Sequence, residues 1–306
     1  MAHIKQPGEL QPKTTIAALI YGQPGIGKTT LACSAPNPVL FDFDGGVTRI
    51  NGAFQVPTVQ VTCWEEVAEA IDEMGTMFNS IIIDTVGKML AYMEDYIKRT
   101  QPKMKQADGS LSLKGYGVRK NMFNEFKNGL LCKGINVIFV AHDNETRQGD
   151  EIKIRPLISG SSANDLMQDI DLVGYMEAYG KDRTISFDST DRYYGKNTCN
   201  MPSVTKIKSL TDEHGNVIGK NEFLTLVLRQ FFNQQETRRQ MAQEFEQLIA
   251  VIDEKVEYIT DAATCNSVCE EIKLMQHIWN SKAIAGKKVS DKAKSLGLTL
   301  KNGRYE

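Results

Sequence analysis

Short apolar runs alternate with longer stretches of helical spacing along the first half of the chain. Runs at residues 16–21, 39–43, 58–62, 80–84 and 136–141 have the length of buried strands. Between them, apolar residues recur every three or four positions over 28–34, 64–78, 86–99 and 118–132, which predicts helices. This rhythm is that of a largely parallel sheet covered on both faces. Beyond residue 150, runs at 152–158, 171–178, 183–187 and 222–228 are joined by turns rich in Gly, Asn and Asp, and predict an antiparallel extension of the same sheet. From residue 233 the spacing is helical, over 234–260 with Phe245, Leu248, Ile249 and Ile252, and over 263–280 with Val268, Ile272, Met275 and Ile278. The expected fold is therefore α/β, with residues 1–232 forming the sheet domain and 233–306 a helical region with a basic tail.

Composition narrows the class without naming a function. With 41% hydrophobic and 24% charged residues, the 306-residue chain is an ordinary globular protein. Its apolar runs stop well short of the roughly 20 residues needed to cross a bilayer, and the start Met1-Ala2-His3-Ile4-Lys5 lacks the pattern of a secretory leader. Cytoplasm is the expected location. The six cysteines form no C-x-x-C pair, so neither a zinc ribbon nor a disulfide framework is suggested. A net charge of -2 gives no global attraction to nucleic acid, and any such contact needs a local patch.

The most specific chemistry follows the first strand. Gly22-Gln23-Pro24-Gly25-Ile26-Gly27-Lys28-Thr29 is a full G-x-x-x-x-G-K-[ST] loop set between a strand and a helix. Its glycines let successive backbone N–H groups converge on one anion, and the following helix, opened by Lys28, Thr29 and Thr30, adds its positive end. Lys28 is expected to neutralise the β- and γ-phosphates and Thr29 to hold Mg²⁺, so ATP and Mg²⁺ are the expected ligands. A base-reading N-K-x-D motif for guanine is absent from the sequence.

Three other strands end in polar residues. Ser80 to Asp84 is an apolar run closed by an acid, as expected of the carboxylate that holds the Mg²⁺ shell, although an acid there also caps helices. Thr85 follows it where some P-loop ATPases place a catalytic Glu, so the base for water must come from elsewhere. Phe41-Asp42-Phe43-Asp44-Gly45-Gly46 closes another strand; alternation points Asp42 and Asp44 to one face, and Asp44 is the candidate base. Asp before Gly-Gly equally suits a turn. His142, after the run 137–141, is a candidate γ-phosphate contact, and Lys196, in Arg192-Tyr193-Tyr194-Gly195-Lys196-Asn197, is a candidate finger reaching a neighbouring subunit. A strand-ending His and a solvated Lys are the plainer readings.

Together these residues resemble the RecA-like branch of P-loop ATPases, in particular the phage-encoded AAA-type, RecA-core ATPases associated with single-strand annealing and recombination. The resemblance spans residues 15–230 and rests on the phosphate loop, Asp84, the acidic strand end at Asp44, Phe139-Val140-Ala141-His142 and the 192–197 segment. It implies an ATPase acting on or beside single-stranded DNA, with recombination or single-strand-binding proteins as partners, a homo-oligomeric state, and the host cytoplasm as its site. Asp44 is one methylene shorter than the Glu usual in that branch, and Lys196-Asn197 is followed by Thr198, whereas the basic fingers of that branch often include an Arg. Both departures imply slow or partner-dependent hydrolysis.

Local charge supplies two DNA candidates. Lys98, Arg99, Lys103, Lys105, Lys114, Arg119 and Lys120 face only Asp108 in what reads as a long loop with Tyr116, suited to a phosphate backbone and a stacked base. The last stretch, with Lys282, Lys287, Lys288, Lys292, Lys294, Lys301 and Arg304, is a second basic segment. A nucleotide-gated binding module without turnover and a P-loop small-molecule kinase remain as alternatives to the ATPase.

Overall fold

A computed structural model describes residues 4–148, 151–158 and 167–306. They divide into two compact units, residues 14–231 and residues 4–13 with 232–306. The N-terminal segment thus groups with the C-terminal helices, whereas the sequence placed it with the sheet.

The larger unit is built on six parallel strands, β1 (Ala17–Gly22), β2 (Pro38–Asp42), β3 (Thr58–Gln60), β4 (Ser80–Asp84), β5 (Asn136–Gln148) and β7 (Leu172–Tyr179), in the order β7-β1-β5-β4-β2-β3. The antiparallel strands β8 (Asp182–Ser186) and β10 (Val204–Ile207) extend it beyond β7; β6 (Glu151–Pro156) pairs with β5, and β9 (Lys196–Asn197) with β7. The continuous apolar runs of β1, β4 and β5 are buried on both faces, as a parallel sheet with helical crossovers requires. One face carries Leu19, Tyr21, Ile81, Ile83, Val137 and Phe139 against Val67, Met89, Met93 and Phe123. These last four come from helices α2 (Glu65–Met74), α3 (Val86–Thr100) and α4 (Leu113–Cys132).

Several sequence expectations change. The run 222–228 is not a strand: it opens helix α5 (Phe223–Glu257), and its buried residues Leu224, Val227, Leu228 and Phe231 recur at helical spacing. Ser34 fixes this start, its hydroxyl accepting from Leu224 N at 2.9 Å while its carbonyl accepts from Thr225 Oγ1 at 2.8 Å. The expected helix 263–280 ends early, as α6 (Ala262–Leu274), a further helix α7 (Ser281–Ser295) follows it, and β5 continues past Ala141 into a hairpin with β6. Helix α4 starts five residues before the expected Val118, where Ser112 Oγ caps Gly115 N at 3.1 Å.

The smaller unit packs Ile252, Ile259, Cys265, Val268, Ile272, Ala285 and Val289 into its own core. Its N-terminal segment is held to α5 by Gly8, whose N–H donates to Glu246 Oε1 at 2.8 Å and whose carbonyl accepts from Gln243 Nε2 at 3.1 Å. Both ring nitrogens of His277 are engaged, with Ser281 Oγ and Ile272 O, and among the described residues no cluster suited to a metal ion forms from His, Cys, Asp and Glu. No described helix is long and apolar enough to cross a membrane.

Candidate active site

The parallel register brings four strand ends to one edge. Gly22 on β1 lies opposite His142 on β5, Val140 opposite Asp84 on β4, and Asp84 opposite Asp42 on β2. Strand β5 therefore separates the loop-bearing strand from the Asp84 strand and delivers His142 between them.

Gly22 turns the chain out of β1. Its φ is +153°, and a Cβ there would sit 2.3 Å from the Met176 carbonyl oxygen and 2.9 Å from Ile26 Cδ1. Only glycine fits that approach. Gly27, at φ +94°, leads into α1 (Lys28–Ala32), which is shorter than the expected 28–34, so the loop's own N–H groups rather than a long helix dipole must carry most of the anion attraction. Lys28 is buried and its ammonium donates to the carbonyls of Gly22 at 2.8 Å and Gln23 at 2.7 Å. Burial lowers its pKa, with Asp84 and Asp143 acting in the opposite sense.

Thr29 and Asp84 meet directly, Thr29 Oγ1 donating to Asp84 Oδ2 at 2.6 Å. Burial raises the Asp84 pKa; the Thr29 bond opposes this, Asp42 and Asp44 reinforce it, and Lys28 opposes it. A hydroxyl and a carboxylate side by side are hard oxygen donors, the set that suits Mg²⁺. Thr85 occupies the N-cap position of α3, but its side chain makes no capping bond.

Asp42 and Asp44 differ more than their alternation suggested, because β2 ends at Asp42 and the chain turns there. Asp42, 2% exposed, accepts from the backbone N–H groups of Asp44, Gly46 and Val47 at 3.2, 3.0 and 3.0 Å. It is the turn-forming acid. The Asp44 carboxylate stays at the rim, with Oδ2 3.8 Å from His142 Nε2.

His142 is thus placed beside the candidate base. Its Nδ1 and the adjacent Asp143 Oδ2 are shielded from solvent and make no hydrogen bond among the described residues. Buried polar atoms of this kind concentrate at functional sites. Sequence reasoning passed over Asp143, although its place one residue after a strand-ending His was a usable signal. Lys196 is not brought to this edge. It pairs with Val173 in the ladder between β7 and β9, and its amine donates to the carbonyls of Gln168 and Met167.

The expected basic loop 98–120 is largely absent as a loop. Lys98 and Arg99 end α3, where Lys98 lies 3.8 Å from both Glu94 and Asp95 and Arg99 pairs with Glu65 at 3.0 Å. Lys114, Arg119 and Lys120 belong to α4; Arg119 is buried, paired with Glu94, its guanidinium 5.0 Å from the centre of the Tyr116 ring. Lys103 and Lys105 remain between the helices. In the basic tail, Lys288 pairs with Asp253 and Lys301 with Glu306.

A family model described as AAA domain matches residues 14–199. No curated protein matches the chain. Among solved structures, a KaiC-like protein from the hyperthermophilic archaeon Pyrococcus horikoshii OT3 is 11% identical with a TM-score of 0.34, over 56% of this chain and 77% of that one. The span 14–199 takes in the phosphate loop, Asp44, Asp84 and His142 and exceeds half of the 306 residues, so the chain belongs to the AAA domain family and carries a P-loop nucleotide-binding core.

Proposed function

We propose that the protein is a Mg²⁺-dependent ATPase in which Asp44 activates the attacking water. The supporting observation is one juxtaposition: the 2.6 Å Thr29–Asp84 pair, which spans β5 from the loop after β1 to the end of β4, and the Asp44 carboxylate just past β2, 3.8 Å from His142 within β5. Asp84 and Thr29 would hold the metal, which when bound supplies charge to the phosphate oxygens. Lys28 would exchange its two loop carbonyls for phosphate oxygens, which are stronger acceptors. Asp44 takes the proton as water attacks the γ-phosphorus and the bond to the β-phosphate oxygen breaks, releasing ADP. His142 holds Asp44 and the γ-phosphate in register.

The reading extends to what turnover is coupled to: single-stranded DNA, or a recombination or single-strand-binding protein on it, with the active form a homo-oligomer in which Lys196 reaches the adjacent subunit's γ-phosphate. Support for this part comes from the sequence resemblance, together with Lys103, Lys105 and the basic tail. Phosphate release with and without single-stranded DNA tests it, with Lys28→Ala as the control. Stimulation by DNA is expected; ATP binding without any turnover would favour a nucleotide-gated binding module, and phosphate transfer to a nucleoside would favour a kinase.

A further inference from the structure

The antiparallel extension sends one cation to the phosphate loop. Arg183, on β8, donates from Nε to the Ile26 carbonyl at 2.8 Å, and a Cβ added to Gly27 would stand 3.7 Å from the same nitrogen. Nearby lysines spend their charge on acids: Lys181 pairs with Glu213 and Lys206 with Asp182, each at 2.7 Å. Arg183 is half-buried, and its polar contacts among the described residues are the carbonyls of Ile26 and Lys181, with no carboxylate. Taking a charge out of water without a counter-charge is costly unless something else completes it.

The bond to Ile26 also fixes which way one loop amide points. The peptide joining Ile26 to Gly27 is trans, so its C=O and N–H lie on opposite sides of one plane. With the carbonyl turned to Arg183, the Gly27 N–H is directed away from it. Glycine accepts φ of either sign, so the loop sequence alone does not stop this peptide from flipping. Arg183 does. A cationic donor on the carbonyl also polarises the whole amide, which makes its N–H a stronger donor.

We infer that Arg183 is a positioning residue of the phosphate site: by holding the Ile26 carbonyl it aims the Gly27 N–H at the bound phosphate, whose negative charge completes the unpaired guanidinium. It acts through the Ile26–Gly27 peptide rather than by touching the nucleotide. The inference rests on the phosphate-loop assignment, so its test carries a variant for each.

Arg183→Gln and Arg183→Met separate orientation from packing, because glutamine places a neutral N–H donor where Nε stood and methionine a methyl group of similar bulk. The full chain is titrated with ATP and with tripolyphosphate, and the Gly27 amide proton is followed by NMR with labelled glycine. Arg183→Met should weaken both ligands by about tenfold and by the same factor, and should lose the downfield Gly27 shift that tripolyphosphate induces in the wild type. Arg183→Gln should keep that shift and bind both within about threefold of wild type. Equal affinities in the folded Met and Gln variants overturn the role of Arg183 and leave the phosphate loop standing. So does a wild-type Gly27 proton that stays unmoved while tripolyphosphate binds, whatever the variants do. Unchanged tripolyphosphate binding in Lys28→Ala overturns the phosphate-loop assignment, and the role of Arg183 with it.

Discussion

Asp42 and Asp44 are two residues apart, yet their carboxylates sit so differently that replacing each by asparagine should have opposite effects. In Asp42→Asn, the new amide can still offer one oxygen to Asp44 N and Gly46 N, but its NH₂ then faces Val47 N–H, which now loses its 3.0 Å acceptor. Losing that charged bond and weakening the other two costs about 2–4 kcal/mol. At about 2–4 °C per kcal/mol for a domain of this size, Tm should fall by about 5–15 °C. In Asp44→Asn, the side chain gives up only its 3.8 Å approach to His142 at the surface, worth about 0–1 kcal/mol, so Tm should hold within about 3 °C. Its kcat should instead drop by about 10² to 10⁴. Phosphate release at saturating ATP, with calorimetry on the same samples, separates the two. Asp44→Asn turning over within threefold of wild type, or Asp42→Asn losing turnover at an unchanged Tm, would refute the assignment of roles.

Three further outcomes follow from the same geometry. Because burial holds the native Asp84 pKa above its ordinary value, the stability it contributes is full below about pH 4 and is lost as pH rises through the native value; nucleotide-free Asp84→Asn should therefore be at least as stable as wild type at pH 7 yet gain nothing from Mg²⁺-ATP, and an equal Mg²⁺-ATP gain in thermal scans would remove Asp84 from the metal site. Glu94→Gln removes the charge that Glu94 sets against the buried Arg119 and should cost about 1–3 kcal/mol in denaturant unfolding, whereas a loss under about 0.5 kcal/mol would show the pair to be incidental. Mixing Lys196→Ala with Lys28→Ala subunits should restore part of the turnover that each lacks; no recovery in co-assembled mixtures would leave Lys196 to its carbonyl partners.

The parts of the fold legible in the sequence were those where one local rule sufficed. Strand β4 appears at its expected residues because an unbroken Ile81-Ile82-Ile83 run bounded by polar ends fits little else, and the phosphate loop because its glycines and Lys-Thr pair carry their own geometry. The rest depended on distant partners. Residues 222–228 have strand-like composition, yet Ser34, nearly 190 positions earlier, caps them as a helix. Arg119 reads as a solvated base until α3 supplies Glu94. The alternation that paired Asp42 with Asp44 failed because three backbone N–H groups of the following turn converge on Asp42, and Arg183 gained its tie to Ile26 only through the β7–β8 hairpin.

The two ends of the main strand path are its shortest members: β3 has three residues and β10 four, with Gln60 and Lys206 exposed on them. Edges this brief offer too few unpaired backbone groups to template a strand from another molecule. A long sheet that could polymerise by annealing end to end is thereby blunted at both margins. Any association of copies through these margins must be built from side-chain complementarity, which substitution can tune, rather than from backbone pairing, which it cannot.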